Sequence, residues 1–96
     1  MLTIVEQPTA KEALDNARDR WQRVDDAWEA ITWALSRDPT FGDPITESGK
    51  TRLAVFQGAR SISMPTIEVI YETQEPYIII HEATFSEAKA QRAGHA

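Results

Sequence analysis

A carboxylate facing an imidazole across two strands is the simplest acid–base pair a small domain can build, and Glu68 and His81 are the first candidates for one. In "TIEVIYET" (66–73) and "YIIIHEATF" (77–85) the apolar alternation predicts two antiparallel strands joined by the short turn "QEP". A two-residue turn at Gln74 and Glu75 sets Glu68 opposite His81, Ile70 opposite Ile79, and Glu72 opposite Tyr77. A carboxylate so placed orients an imidazole for proton transfer. The competing reading is a surface pair worth roughly 0.2–1 kcal/mol. It is the better one, because no nucleophile stands nearby in sequence to complete a catalytic set.

Arg52 and Arg60 are the next candidates, as a clamp for phosphate. Solvated surface arginines are commoner in an acidic chain, and this one carries a net charge of −5. Its cations form no runs, although Arg18, Arg20 and Arg23 come close together. Three tryptophans, Trp21, Trp28 and Trp33, could stack bases. The first two fall on an apolar helical stripe, so burial explains them better. Trp33 lies off the stripe, either under the sheet or exposed for a partner. Ser61 and Ser63 have no base beside them. The chain has no cysteine, which excludes disulfides and thiolate metal sites, and His81 and His95 do not make a histidine-rich site. No cofactor or metal is expected. The weak catalytic candidates are therefore Arg52, Arg60 and His81.

Ninety-six residues suit one domain with one core. Residues 2–6, "LTIVE", predict a short first strand. Thr9 with Glu12 has capping-box spacing and opens a helical pattern. Leu14, Ala17, Trp21, Val24, Trp28, Ile31 and Leu35 then recur in steps of three and four, one stripe of one helical face. No Gly or Pro interrupts residues 9–38. A single helix over that span would be about 40 Å long, against a domain width of about 26 Å. Asp26 with Glu29 repeats the capping-box spacing, which predicts a hairpin bent near Arg23 to Asp25. The unbroken step through Val24 argues instead for one continuous helix.

"WALSRDPTFGDPI" (33–45) then ends the helical pattern. Pro39 disfavours helix at Asp38, Gly42 permits angles other residues avoid, and Pro44 prevents the helix from resuming. A polar loop (45–50), a strand "TRLAVFQ" (51–57) and a long connection (58–65) lead to the hairpin, and residues 86–96 read as a helical turn or a fraying tail. The fold class expected is α+β: an N-terminal strand and a long helix or helical hairpin packed on a C-terminal three-strand antiparallel meander.

On the hairpin, Ile67, Val69, Tyr71, Ile78 and Ile80 share one face, which should meet the helices. The other face mixes Glu68, Glu72 and His81 with Ile70, Ile79 and Tyr77. Either the 58–65 connection or the C-terminal tail covers those apolar residues, or they form a partner-binding groove. Ile70, Tyr77, Ile79 and Trp33 are the candidate partner-binding residues.

The order of these elements, with "WALSRDPTFGDPI", "TRLAVF", "IEVIYE" and "YIIIHEATF" in sequence, resembles the RelE/ParE toxin superfamily across residues 2–85. The resemblance implies a small bacterial protein of a type II toxin–antitoxin pair. Its partner would be a cognate antitoxin lying as a helix or strand along the helices and the sheet. Its target would be the ribosome–mRNA complex or, as in the ParE branch, DNA gyrase, reached by binding. Ribonuclease members usually carry an arginine where Glu68 stands, and a catalytic tyrosine or histidine after the last strand, where this chain offers Phe85 and the distant His95. Family toxins are typically basic. An enzyme of this family would be a ribosome-dependent mRNA endoribonuclease, which needs cations to stabilise the phosphate transition state. The departures favour protein binding over RNA cleavage. The alternative is a non-catalytic homodimeric interaction module that kept the fold without toxicity. Residues 1–8 show no signal peptide and no apolar run approaches a membrane span, so a cytoplasmic protein is expected.

Overall fold

The stripe from Leu14 to Leu35 is buried as one surface, and two helices carry it. The computed structural model describes residues 1–89. In it β1 (Thr3–Glu6) leads to α1 (Pro8–Arg18) and α2 (Val24–Arg37). Lengths of 11 and 14 residues correspond to about 17 and 21 Å, which a domain 41 × 32 × 21 Å accommodates. The break spans Asp19 to Arg23, a few residues before the position the capping pattern predicts.

Neither predicted capping box forms. Gln7 precedes α1, Pro8 supplies its first turn, and the Thr9 hydroxyl donates to the His81 carbonyl at 2.8 Å. Arg23 precedes α2, which places Asp26 inside its first turn. The start of α2 is held from a distance. Ser63 adopts a left-handed conformation (φ 56°), and its carbonyl accepts from the Arg23 amide at 3.0 Å while its hydroxyl accepts from the Gln22 amide at 3.2 Å. A tertiary cap has taken the place of the local one. Arg18 ties the two helices, meeting Asp15 at 2.6 Å and Asp25 at 2.9 Å.

After α2 come β2 (Asp43–Pro44), β3 (Thr51–Phe56), a single 3₁₀ turn (Arg60–Ile62), β4 (Thr66–Gln74) and β5 (Tyr77–Ser86). They form one sheet in the order β1-β5-β4-β3-β2, with β1 parallel to β5 and the remaining pairs antiparallel. The fold is α+β, as the sequence predicts. The meander gains β1 on one edge and the two-residue β2 on the other. No helix among the described residues is long and apolar enough to cross a membrane.

One face of the sheet meets both helices. Ala54, Ile67, Val69, Tyr71, Ile78 and Ile80 pack against Leu14, Ala17, Trp21, Val24, Trp28, Ile31 and Leu35 in one core. Trp28 closes the β1 side by donating its indole N–H to Glu6 at 2.8 Å. The Asp-Pro-x-x-Gly turn wraps the hydroxyl of the fully buried Tyr71, which donates to the Pro39 carbonyl at 2.8 Å and accepts from the Gly42 amide at 2.9 Å. A Cβ on Gly42 would lie 2.6 Å from the Leu53 carbonyl oxygen, so only glycine lets the chain pass there. These two bonds tie the turn that follows α2 to the sheet.

The hairpin register differs from the prediction. The turn residues are Glu75 and Pro76, joined by a cis peptide, so Gln74 pairs with Tyr77 and Glu72 with Ile79. A β-bulge lies between Ile70 and Tyr71: Tyr71 pairs with Ile80 but Ile70 with Glu82, leaving His81 as the extra residue. Moving the turn by one residue slides each partner by two, which preserves the faces; the bulge adds one more beyond His81, which brings Glu82 and Thr84 to the face of Ile70 and turns Ala83 and Phe85 towards the helices. Glu68 therefore faces Thr84 and Val55, not His81.

Candidate functional site

Both helices lie on one side of the sheet, and the other side is open among the described residues. The register determines what it shows. Val5 lies beside Ile79, Ile79 beside Glu72, Ile70 beside Leu53, and Val55 beside Glu68. Tyr77 stands at the end nearest the turn, between Thr3 and Gln74. Leu53, Ile70 and Ile79 are half-buried by their neighbours in the sheet, while Val5, Val55 and Tyr77 are exposed. Together they make an oblique apolar band from β1 to β3. The 58–65 connection does not cover it, because Ser63 is engaged at the start of α2 on the helical side. The tail beyond Lys89 lies outside the described residues.

Carboxylates border the band. Asp43 pairs beside Leu53, Glu68 beside Val55, Glu72 beside Ile79 and Glu82 beside Ile70. No Lys or Arg occupies an outward position of β1, β3, β4 or β5. His81 is the one basic side chain there, and its Nε2 lies 3.0 Å from Glu72 Oε1. Gln74 donates to the other oxygen of Glu72 at 2.8 Å. These two hydrogen bonds, Gln74 first and His81 second, hold the Glu72 carboxyl below its ordinary range. The imidazole therefore has a carboxylate partner, reached diagonally across the strands.

The remaining candidates fall elsewhere. Arg52 points to the helical side at the sheet edge, where Nε donates to the Gly49 carbonyl at 3.0 Å and Nη1 to the Gly42 carbonyl at 2.8 Å. It holds two loops together. Arg60 is exposed on the 3₁₀ turn. Arg52, Arg60 and His81 thus do not converge on one point. Arg18 and Arg23 are engaged by aspartates, and the Arg20 guanidinium lies 4.2 Å from the Trp21 ring centroid. Trp33, 57% exposed, stands on the outward side of α2, away from the sheet. Ile70, Tyr77 and Ile79 are brought together, and Trp33 is not among them.

Val5, Leu53 and Val55 belong to the band and were not singled out from the sequence. The alternation of "TRLAVF" carried the signal for Leu53 and Val55, since Arg52, Ala54 and Phe56 occupy the opposite phase. Val5 required knowing that β1 joins β5 at the sheet edge. Among the described residues no three or more of His, Asp and Glu are placed to hold a metal ion. Comparison with protein-family models and with curated proteins gives no match.

Proposed function

We propose that the chain is the toxin-like member of a bacterial toxin–antitoxin pair of RelE/ParE-like kind, and that it acts by binding a protein through the open face of its sheet. The observation that carries this reading is the apolar band of Val5, Leu53, Val55, Ile70, Tyr77 and Ile79 set among Asp43, Glu68, Glu72 and Glu82. A sheet face with several apolar side chains in register suits a partner surface. Its carboxylates select a partner that places Lys or Arg around an apolar centre. RNA cleavage is disfavoured, because Arg52 is committed to two carbonyls and the open face would repel phosphate.

The test is growth of a bacterial host during induced expression of the wild-type chain, Ile70→Lys/Ile79→Lys, and Arg52→Ala. Arrest by wild type, relieved by the double lysine variant at equal soluble expression, is the expected result. Arrest relieved only by Arg52→Ala would move the working surface to the loops that Arg52 holds. Absence of arrest at confirmed soluble expression would overturn the toxin reading. It would leave the second one, a homodimeric interaction module, which the exposed Trp33 on α2 favours.

A further inference from the structure

The outward side of α2 carries a stripe that the core does not use. Asp26, Ala30, Trp33 and Arg37 recur at steps of four, three and four, the spacing of a helix–helix seam. All four are exposed, whereas Val24, Trp28, Ile31 and Leu35 are buried on the other side of the helix. Asp26, Glu29, Ala30, Trp33 and Ala34 line an open depression there. An indole flanked by alanines gives a second helix both a large apolar anchor and room for close approach.

The order of these residues is self-complementary. The stripe runs from an acidic end, Asp26 and Glu29, to a basic end, Arg37. Two copies of α2 can be laid antiparallel about a two-fold axis midway between Ala30 and Trp33. Each Trp33 then covers the Ala30 of the other copy, and each Arg37 meets its Asp26. Antiparallel alignment also opposes the helix dipoles favourably. A parallel arrangement would set Asp26 on Asp26 and Arg37 on Arg37. The Arg37 guanidinium lies 4.6 Å from its own Trp33 ring centroid, at the edge of the area the second copy would cover. Asp26 is bonded to Arg23, the residue just before its helix, an exposed pair that can exchange partners. The open sheet face is a poor site for a second copy, because it would bring carboxylates against carboxylates.

We infer that the outward face of α2 is a self-association surface, and that its partner is a second copy of this chain in antiparallel orientation. The contact is isologous, so it closes at a dimer. One helical face against its copy buries less than a standard interface of about 1,600 Å². The dimer is accordingly reversible and depends on concentration. The inference does not depend on toxicity, and the growth experiment does not bear on it.

The test is sedimentation velocity of the full chain from micromolar to near-millimolar concentration, with circular dichroism to confirm that each variant is folded. The wild-type mass should rise from one chain to two. Trp33→Ala should weaken association about tenfold or more. Asp26→Arg and Arg37→Asp should each weaken it, and the two together should restore it. Ile70→Lys/Ile79→Lys should leave it unchanged. A monomer at every concentration would overturn the inference. So would a dimer indifferent to Trp33→Ala, a dimer lost in the sheet variant, or a folded double charge-swap variant that fails to recover association.

Discussion

Tyr71 joins the turn after α2 to the middle of the sheet through a single side chain. Its ring fills the core from β4, and its hydroxyl gathers the Pro39 carbonyl and the Gly42 amide from the turn after α2. Tyr71→Phe keeps the ring and leaves the Gly42 amide, a buried donor, without that acceptor. The expected cost is about 1–3 kcal/mol in urea unfolding. Gly42→Ala should cost a comparable amount, because the backbone of Leu53 must yield to the new methyl group. Burial also raises the Tyr71 phenol above its ordinary value of about 10. The unfolded chain then ionises first as the pH climbs. The stabilisation tied to this proton is complete below about pH 10 and is lost as the pH rises towards the folded-state value. Alkaline unfolding curves of wild type and Tyr71→Phe should converge as the pH increases, and parallel curves would contradict the assignment.

At the scale of the elements, the hairpin separates what a strand pattern reveals from what it does not. Period-two alternation fixes which residues share a face, and Ile67, Val69, Tyr71, Ile78 and Ile80 are all fully buried as expected. The pairs across the strands depend on which two residues turn, which leaves no mark in the apolar pattern, and on an extra residue at His81, whose trace is the change of phase from Ile78 and Ile80 to Ala83 and Phe85. Glu68 and Glu72 lie on the same face, so alternation could not decide which of them meets His81. The helices teach a similar lesson. The stripe through Val24 was legible, but the break before it depends on Ser63, which is remote in sequence. The Glu72 carboxyl offers a direct check on the revised pairing. Its depressed pKa means that the unfolded chain takes up this proton first on acidification, so the linked stability is present above the ordinary carboxylate range and lost below it. His81→Ala or Gln74→Ala should move the Glu72 titration up towards that range, read by carboxyl-carbon NMR. A Glu72 titration that stays put in both variants would contradict the revised pairing.

At the scale of the whole molecule, the described residues form a sheet with both helices on one side, and consecutive residues of β5 can report that directly. Ile79 and Ile80 are chemically identical neighbours. Ile80 is fully buried against the helices and Ile79 is half-buried on the open face. A lysine at position 80 would have to bring an ammonium group into the core, with a penalty of several kcal/mol. A lysine at position 79 can extend its stem along Val5 and Tyr77 with its charge in water, beside Glu72. Ile79→Lys should therefore change stability by no more than about 1 kcal/mol. Ile80→Lys should unfold the domain or lower its melting temperature steeply, as read by thermal circular dichroism. The same contrast separates folding from recognition. If the open face binds a basic partner, Ile79→Lys weakens that binding in a chain that remains folded, and added salt weakens it further by screening the bordering carboxylates. Equal tolerance of lysine at both positions would mean that the helices do not cover the sheet as described. Equal damage at both would mean that something also covers the open face, and the case for a docking surface there would fall with it.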